Sequence, residues 1–309
     1  MSLLMNITNI LNKSLITAIK TPFNERGRID LPTYDKLVEK QIEFGVEGLI
    51  VGGTTGEGHL LDWEEHLMLI AHTASKFGDQ LLVVGNTGSN NTRESVKATK
   101  HAFAMGMHAA LLINPYYGKT SALGVQKHIE AALDIGPAFI YNVPGRTGQD
   151  IDVDTMLKIS QHDHFIGVKE CAGNERIAEY ESQGIACWSG NDDECFEARH
   201  QCGAHGVISV TSNITPKLMR ELMDDSSKTD LNHSLQPLFS WLFSEPNPIA
   251  INTALAMTGS IEPIFRLPYV PLNKESRELG LNLLKAIETS EIVGDKLSTL
   301  EDSDFLILA

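Results

Sequence analysis

Short runs of apolar residues recur along the chain and predict eight β-strands. These runs cover residues 15–20, 47–51, 81–85, 109–113, 138–142, 165–169, 185–189 and 206–210. Most of them are continuous rather than alternating with polar residues. A continuous run is typical of a parallel strand that is buried on both faces of its sheet.

Segments with helical patterning lie between these runs. They predict helices over residues 32–44, 62–77, 91–105 and 122–135. The second of them opens with Asp62, which can cap the helix, and has Glu65 three positions later, the spacing of a capping box. Strands and helices therefore alternate through the first two thirds of the chain.

Eight strands, each followed by a helix, predict an α/β protein with a (β/α)8 TIM barrel. A doubly wound open sheet is the competing topology, but no G-x-G-x-x-G fingerprint follows the first strand. After about residue 215 there is no further convincing strand alternation, and the sequence favours helices. We therefore assign residues 1–230 to a catalytic barrel domain and residues 231–309 to a C-terminal helical region.

The composition narrows the class of partners. The 309 residues include 42% hydrophobic residues, enough for a packed core, and 40 acidic against 25 basic residues give a formal net charge of −15. That charge argues against nucleic acids and anionic membranes as partners. No apolar run approaches the ~20 residues of a membrane span, and the first residues lack the features of a secretion signal. We expect a cytoplasmic protein.

Lys169 follows directly on a buried strand in the stretch FIGVKECAGN. A free lysine has a pKa of about 10.4, and burial in an apolar barrel could bring it to about 7–8. The neutral amine would then attack a ketone and form a Schiff base. The alternative is a structural lysine that pairs with Glu170 or another neighbour. These ten residues alone leave both interpretations open.

The loop GGTTGEG, residues 52–58, follows the second strand. Its glycines allow backbone amides to approach a ligand, and Thr54 and Thr55 add hydroxyl groups, which suits a carboxylate or a phosphate. It lacks the lysine of a P-loop. A plain tight turn is the other interpretation.

Other strand ends carry aromatic and basic residues. Tyr141 ends the fifth strand and either relays a proton or packs in the core. Arg146 follows on a Pro-Gly loop and either clamps a carboxylate or is simply solvated. Tyr116 and Tyr117 lie side by side on a loop, as in many subunit interfaces. The histidines and cysteines show no metal-binding spacing, so we expect no metal and no cofactor.

Six motifs in this order resemble the dihydrodipicolinate synthase family: GGTTGEG, NPYYGKT, YNVPGRTG, GVKE, SGNDD and GVISVTSN. The family belongs to the pyruvate-dependent class I aldolases related to N-acetylneuraminate lyase. The resemblance runs from about Ile16 to the stretch at 265–272, and the sequences of several motifs are most similar to those of plant-type members.

The resemblance implies that pyruvate forms a covalent Schiff base on Lys169 and condenses with L-aspartate 4-semialdehyde, on the route to diaminopimelate and lysine. It implies a catalytic group made of Lys169, Tyr141, Thr55 and Tyr117, with the tyrosine of position 117 donated by a neighbouring subunit of a homotetramer built as a dimer of dimers. Substrate-binding positions carried over from the family are Thr54, Thr55, Arg146, Gly190 and Ile208. Arg146 separates these synthases from the sugar-acid lyases, which lack it.

The family is often inhibited by lysine at a second site between subunits. The matching positions are Gly58, His59, Trp63, His66, Asn90, Glu94 and Tyr116. Glu94 can pair with an ammonium group, and Trp63 can cover an aliphatic stem or face a cation. Trp63 stands where many bacterial members have histidine and matches the plant-type enzymes. The alternative is that this set only packs a dimer interface.

Two other functions remain open on the sequence. One is another pyruvate-dependent class I aldolase or lyase that acts on a sugar acid. The other is a barrel that binds an amino acid without catalysis. A pyruvate adduct on Lys169 would separate an enzyme from a binding protein, and the choice of aldehyde would separate the two enzymes.

Overall fold

The computed structural model describes residues 7–309, and eight parallel strands in it close into a barrel in chain order. The barrel strands are β1 Leu15–Ala18, β2 Gly48–Val51, β3 Leu82–Asn86, β4 Ala109–Ile113, β5 Ala138–Asn142, β6 Phe165–Glu170, β7 Cys187–Ser189 and β8 Gly206–Ser209. Each lies within about two residues of the apolar run that predicts it. The predicted barrel is confirmed.

Thirteen α-helices are present in the described part of the chain. They are α1 Ile7–Leu11, α2 Leu31–Glu43, α3 Trp63–Phe77, α4 Thr92–Ala104, α5 Ala122–Leu133, α6 Pro144–Thr147, α7 Val153–Ile159, α8 Asn174–Ser182, α9 Cys195–Gln201, α10 Pro216–Asp224, α11 Thr229–Leu242, α12 Ile249–Met257 and α13 Lys274–Lys285. The four predicted helices correspond to α2, α3, α4 and α5. Asp62 caps α3 as expected, because its side chain accepts a hydrogen bond from the Glu65 amide at 2.8 Å.

The register of the central strands fixes which side chains are neighbours. Across β5 and β6, Tyr141 is level with Lys169 and Asn142 is level with Glu170. Across β6 and β7, Lys169 is level with Trp188. Successive residues of a strand point to opposite faces, so Tyr141 and Lys169 share one face, and Asn142 and Glu170 share the other.

Contact density divides the chain into two compact units. The first takes the chain up to Ile16, Glu47–Val51 and Asp62–Ile208, and the second takes Thr17–Val46, Gly52–Leu61 and Ser209–Ala309. In the first unit the ring of Trp188 is fully buried, packs edge-on against Phe139 and donates to the Lys13 carbonyl at 2.6 Å. The predicted boundary at residue 230 stays a prediction.

The second unit contains the C-terminal helices α10 to α13, which confirms the predicted helical region. It also contains a pair of parallel strands that the pattern did not predict, β9 Ile264–Arg266 and β10 Leu306–Leu308. Each strand has three residues, too few to show an alternation. The apolar end of the chain is thus held by backbone hydrogen bonds against residues 263–267.

Candidate active site

Lys169 lies near the carboxyl end of β6 and is almost entirely buried, with 6% of its surface exposed. Burial lowers the pKa of its amine, and the positive charge of Arg146 lowers it further, while Cys171 and Asp192 act in the opposite direction. Among residues 7–309, no carboxylate lies within ion-pair distance of this amine. The site therefore favours the neutral amine, which is the nucleophilic form.

Tyr141 lies beside the amine on the neighbouring strand. The Lys169 Nζ is 4.5 Å from the centre of the Tyr141 ring, and only 6% of the tyrosine is exposed. The register of β5 and β6 produces this contact directly, because the two residues are level and face the same side. A phenol next to a nucleophilic amine is well placed to exchange protons with groups bound there.

Gly190 provides space next to the lysine. A Cβ added at this position would collide with the Cys171 Sγ and lie 3.1 Å from the Lys169 Cε. Its amide donates to the Glu170 carbonyl at 2.7 Å, which fixes this close approach. The position thus requires glycine because any side chain would displace the lysine or the thiol.

Cys171 was not among the residues predicted for the site. Burial raises the pKa of its thiol to about 11, so the thiol is neutral at neutral pH. The position of Cys171 in the sequence could have indicated its place in the site, because a residue two positions after Lys169 tends to face the same side in an extended chain. The thiol and the lysine share the space that Gly190 leaves open.

Glu170 is not the partner of Lys169, so the pairing considered from the sequence does not occur. Its carboxylate is fully buried on the opposite face and accepts from the Asn142 side chain at 3.0 Å and from the Ala172 amide at 2.7 Å. Burial raises its pKa. The Asn142 amide also donates to Asp150 at 2.8 Å. This network holds the ends of β5 and β6 together.

Thr54 and Thr55 belong to the second unit, in the loop that follows β2. Thr55 is buried, and its Oγ1 accepts a hydrogen bond at 3.0 Å from the side-chain amide of Asn247. Thr54 is half-buried. Asn247 lies 192 residues further along the chain, so no local pattern could have indicated this contact.

The same loop also contributes Glu57 to a buried ion pair with Lys20. Glu57 has a left-handed backbone (φ 55°) and accepts hydrogen bonds from the amine of Lys20 and from the Asn252 amide. Lys20 and Glu57 are each 1% exposed. Sequence reasoning did not single out Lys20, although it ends an apolar run just as Lys169 does.

The remaining candidate residues are placed as follows. Arg146 lies in the short helix α6 and is exposed. Ile208 is fully buried in β8. Tyr117 is 92% exposed and has a left-handed backbone, with φ 68°. An aromatic ring so exposed is typical of a residue that packs against another chain.

The positions proposed for an inhibitor site form small groups within the two units. In the first unit, Trp63 stacks on His66 with ring centres 5.4 Å apart, and burial lowers the pKa of His66 to about 4. Asn90 donates to the Tyr116 carbonyl at 3.4 Å.

Three further positions complete this set. Glu94 is exposed and accepts from the Ser89 hydroxyl at 3.2 Å. In the second unit, Gly58 is buried, and the exposed His59 ring shares a 2.8 Å hydrogen bond with the Tyr269 hydroxyl. The role of all seven residues stays a prediction.

Comparison with known proteins places this arrangement in a family. Residues 11–287 match the model of the "Dihydrodipicolinate synthetase family". The chloroplastic 4-hydroxy-tetrahydrodipicolinate synthase of Nicotiana tabacum is 56% identical over 295 residues, which cover 95% of this chain and 82% of the relative.

Two solved structures share the fold. The chloride-inhibited dihydrodipicolinate synthase of Acinetobacter baumannii, complexed with pyruvate, has a TM-score of 0.84 and 36% identity and covers 88% of this chain and 98% of its own. The enzyme of Cyanidioschyzon merolae with lysine bound has a TM-score of 0.85 and 28% identity. The match covers 89% of this chain and 98% of the neighbour.

These relatives correct the expected location. The tobacco, Arabidopsis and maize enzymes are all chloroplastic, so the prediction of a cytoplasmic protein is wrong. None of the helices within residues 7–309 is long and apolar enough to cross a membrane.

Proposed function

The chain belongs to the dihydrodipicolinate synthetase family, and we propose that it is a 4-hydroxy-tetrahydrodipicolinate synthase that condenses pyruvate with L-aspartate 4-semialdehyde. The observation that carries the proposal is the state of Lys169. Its amine is buried, its pKa is lowered despite the opposing charge of Asp192, and no carboxylate in the described chain is in ion-pair contact with it. A lysine in this state is suited to attack a keto group.

The chemistry begins at the Lys169 Nζ. The neutral amine attacks the keto carbon of pyruvate, and loss of water leaves an iminium ion. The iminium withdraws electrons, so the adjacent methyl group loses a proton and an enamine forms. The enamine carbon then attacks the aldehyde of the semialdehyde, and the resulting alkoxide takes up a proton. The amino group of the semialdehyde unit finally adds to the iminium carbon and displaces the Lys169 amine, which closes the ring of the product and regenerates the enzyme. No metal or cofactor takes part, because the iminium itself is the electron sink.

These steps need groups that move protons. We assign this role to Tyr141, Thr55 and Tyr117, acting as a relay. Tyr141 supports the assignment by its position, since its ring lies 4.5 Å from the Lys169 Nζ. The exposed ring of Tyr117 supports its donation to a neighbouring subunit, in a homotetramer built as a dimer of dimers.

Substrate carboxylates are bound by the remaining residues. We assign the pyruvate carboxylate to the Thr54 hydroxyl and to the backbone amides of Thr54 and Thr55, and we keep Gly190 and Ile208 as further substrate-binding positions. Arg146 clamps the carboxylate of the semialdehyde. A guanidinium suits this task because it can donate two parallel hydrogen bonds to one carboxylate.

We also propose that lysine inhibits the enzyme at the site formed by Gly58, His59, Trp63, His66, Asn90, Glu94 and Tyr116. A structural neighbour with lysine bound supports this proposal. The low pKa of His66 keeps its ring neutral at neutral pH, so it does not repel the ammonium group of the ligand. The chloroplastic relatives support a plastid location, where the product would enter lysine synthesis.

The condensation assay tests the function. The purified protein is supplied with pyruvate and either L-aspartate 4-semialdehyde or a sugar-acid aldehyde, with and without lysine. We expect turnover with the semialdehyde that lysine reduces. Equal or faster turnover with the sugar-acid aldehyde would contradict the assignment of substrate, and absence of turnover with every aldehyde would contradict the assignment as an aldolase.

A further inference from the structure

Asn247 is a buried amide that the mechanism above does not use. It lies between Pro246 and Pro248, just before α12, and is 7% exposed. A buried amide is costly unless it is hydrogen-bonded. Here its Nδ2 donates at 3.0 Å to the Oγ1 of Thr55, which is itself 1% exposed.

The direction of this hydrogen bond has a chemical consequence. A threonine hydroxyl has one hydrogen to donate and two lone pairs that accept. Because the amide of Asn247 occupies one lone pair, the hydroxyl hydrogen of Thr55 remains available for another acceptor. A partner that only accepted would instead take this hydrogen and leave nothing to donate.

We infer that Asn247 is a positioning residue that orients the Thr55 hydroxyl as a proton donor during the condensation. The inference rests on the proposed function, in which Thr55 belongs to the proton relay. Asn247 touches Thr55 and acts through it, so its loss should reduce turnover more than it changes the binding of pyruvate.

A second contact from the same segment provides a control that distinguishes orientation of the Thr55 hydroxyl from anchoring of its loop. Asn252, five residues after Asn247, donates to the carboxylate of Glu57, two residues after Thr55. Glu57 also accepts from the Lys20 amine. Asn252 therefore anchors the loop without touching the Thr55 hydroxyl, and Asn252→Ala is a matched control for the loss of a loop anchor.

The Asn247→Asp variant reverses the hydrogen bond while nearly preserving the shape of the side chain. An ionised aspartate only accepts, so Thr55 must donate to it, whereas a protonated aspartate can donate again. Burial raises the pKa of such a carboxyl group. The variant should therefore be impaired at high pH and recover as the pH falls.

The experiment measures kcat and the KM for pyruvate of the full-length enzyme between about pH 5.5 and 9, for Asn247→Asp, Asn247→Ala and Asn252→Ala. Each value is divided by that of the unmodified enzyme at the same pH. The charged residues of this loop and its surroundings, Lys20, Glu57 and Arg266, whose charge acts on Lys20, are present in every variant. A pH dependence that appears only in Asn247→Asp therefore reports on the new carboxyl group.

We expect kcat of Asn247→Asp to fall at least about tenfold at high pH and to recover towards low pH, since general acid–base contributions are about 10²–10⁴-fold. The ratio for Asn247→Ala should be low at every pH, and the ratio for Asn252→Ala should show no recovery at low pH. The KM for pyruvate should change less than kcat. A ratio for Asn247→Asp that is independent of pH would overturn the inference.

A double-mutant cycle gives a second test that does not depend on the aspartate variant folding well. If Asn247 acts through Thr55, Asn247→Ala should cause little further loss of kcat in a Thr55→Val background. Full additivity of the two losses would contradict the inference. An unmodified enzyme that fails to condense the substrates would instead contradict the proposed function, so the two failures are distinguishable.

Discussion

Lys169 and Lys20 are both buried lysines that end an apolar run, but their surroundings differ. Burial lowers the pKa of both amines. Each amine also lies over an aromatic ring, Phe23 for Lys20 and Tyr141 for Lys169. Lys20 differs in its hydrogen bond to Glu57, whose charge opposes this shift and favours the ammonium form. Within residues 7–309, no carboxylate is in ion-pair contact with Lys169.

The comparison shows that burial alone does not make a lysine a nucleophile. A contacting carboxylate holds the proton on Lys20 and fixes the amine in place, so this residue stabilises the loop that contains Glu57. At Lys169 the neighbours are a phenol ring, a neutral thiol and a glycine that leaves room for a ligand. We therefore expect the two lysines to respond differently to the same substitution.

The largest expected effect is on catalysis by Lys169→Met. Removing the nucleophile should lower kcat by about 10⁴-fold or more, by analogy with other covalent catalysts. The folded structure should persist, because the methionine replaces a buried amine that has no ion-pair partner in the described chain. The condensation assay and circular dichroism measure the two outcomes. Substantial residual turnover would show that another group forms the Schiff base.

Lys20→Met should instead act mainly on stability. Breaking a buried ion pair typically costs 3–5 kcal/mol, because the remaining charge, here Glu57, is left without its partner. The free energy of unfolding in urea measures this loss. The matched double variant Lys20→Met/Glu57→Gln removes both charges and should recover much of it. A Lys20→Met variant as stable as the unmodified protein would contradict the structural role of this pair.

Gly190→Ala tests the space beside Lys169. The added methyl group would collide with the Cys171 Sγ, and overpacking of this kind costs about 1–3 kcal/mol. We expect a lower melting temperature and weaker binding of pyruvate. In the Cys171→Ala background the sulfur is gone, so the same change should cost less. Equal costs in the two backgrounds would show that the thiol does not limit this space.

The last prediction concerns the pH dependence of stability. The pKa of Lys169 is lowered in the folded state, so the unfolded chain binds its proton more tightly. At pH values between this lowered pKa and about 10.4, the contribution of Lys169 to the free energy of unfolding should therefore rise with pH, by up to about 1.4 kcal/mol per pH unit.

Lys169→Met lacks this titration. The variant should be the more stable protein near neutral pH, and its advantage should shrink as the pH rises. Unfolding in urea at neutral and at alkaline pH measures the difference. An advantage that stays constant over this range would show that the pKa of Lys169 is the same in the folded and unfolded chain.

The hydrophobic pattern predicts the barrel well because each strand is a continuous buried run. It does not distinguish LITAIK from FIGVK, because both are apolar runs that end in a lysine. The difference lies in Glu57, which is 37 residues from Lys20 and reaches it through a left-handed turn. The contact of Asn247 with Thr55 and the pairing of β9 with β10 are also long-range, and no local periodicity encodes them.

The family motifs pointed to candidate site residues that the hydrophobic pattern alone did not single out. Lys169 and Tyr141, whose roles their strand-end positions left open, and Gly190, which only the resemblance gave, lie together in the structure. Cys171, Asn142 and Lys20 were missed because their importance depends on which face of a strand they occupy and on what they contact there. Such information requires register and burial as well as sequence.

Reduction with borohydride in the presence of pyruvate tests the central claim most directly. Borohydride converts an iminium between pyruvate and a lysine into a stable amine, which peptide mass spectrometry assigns to one residue. We predict the adduct on Lys169, none on Lys20, and none at all in Lys169→Met. An adduct on Lys20, or a protein that remains unlabelled, would contradict the account.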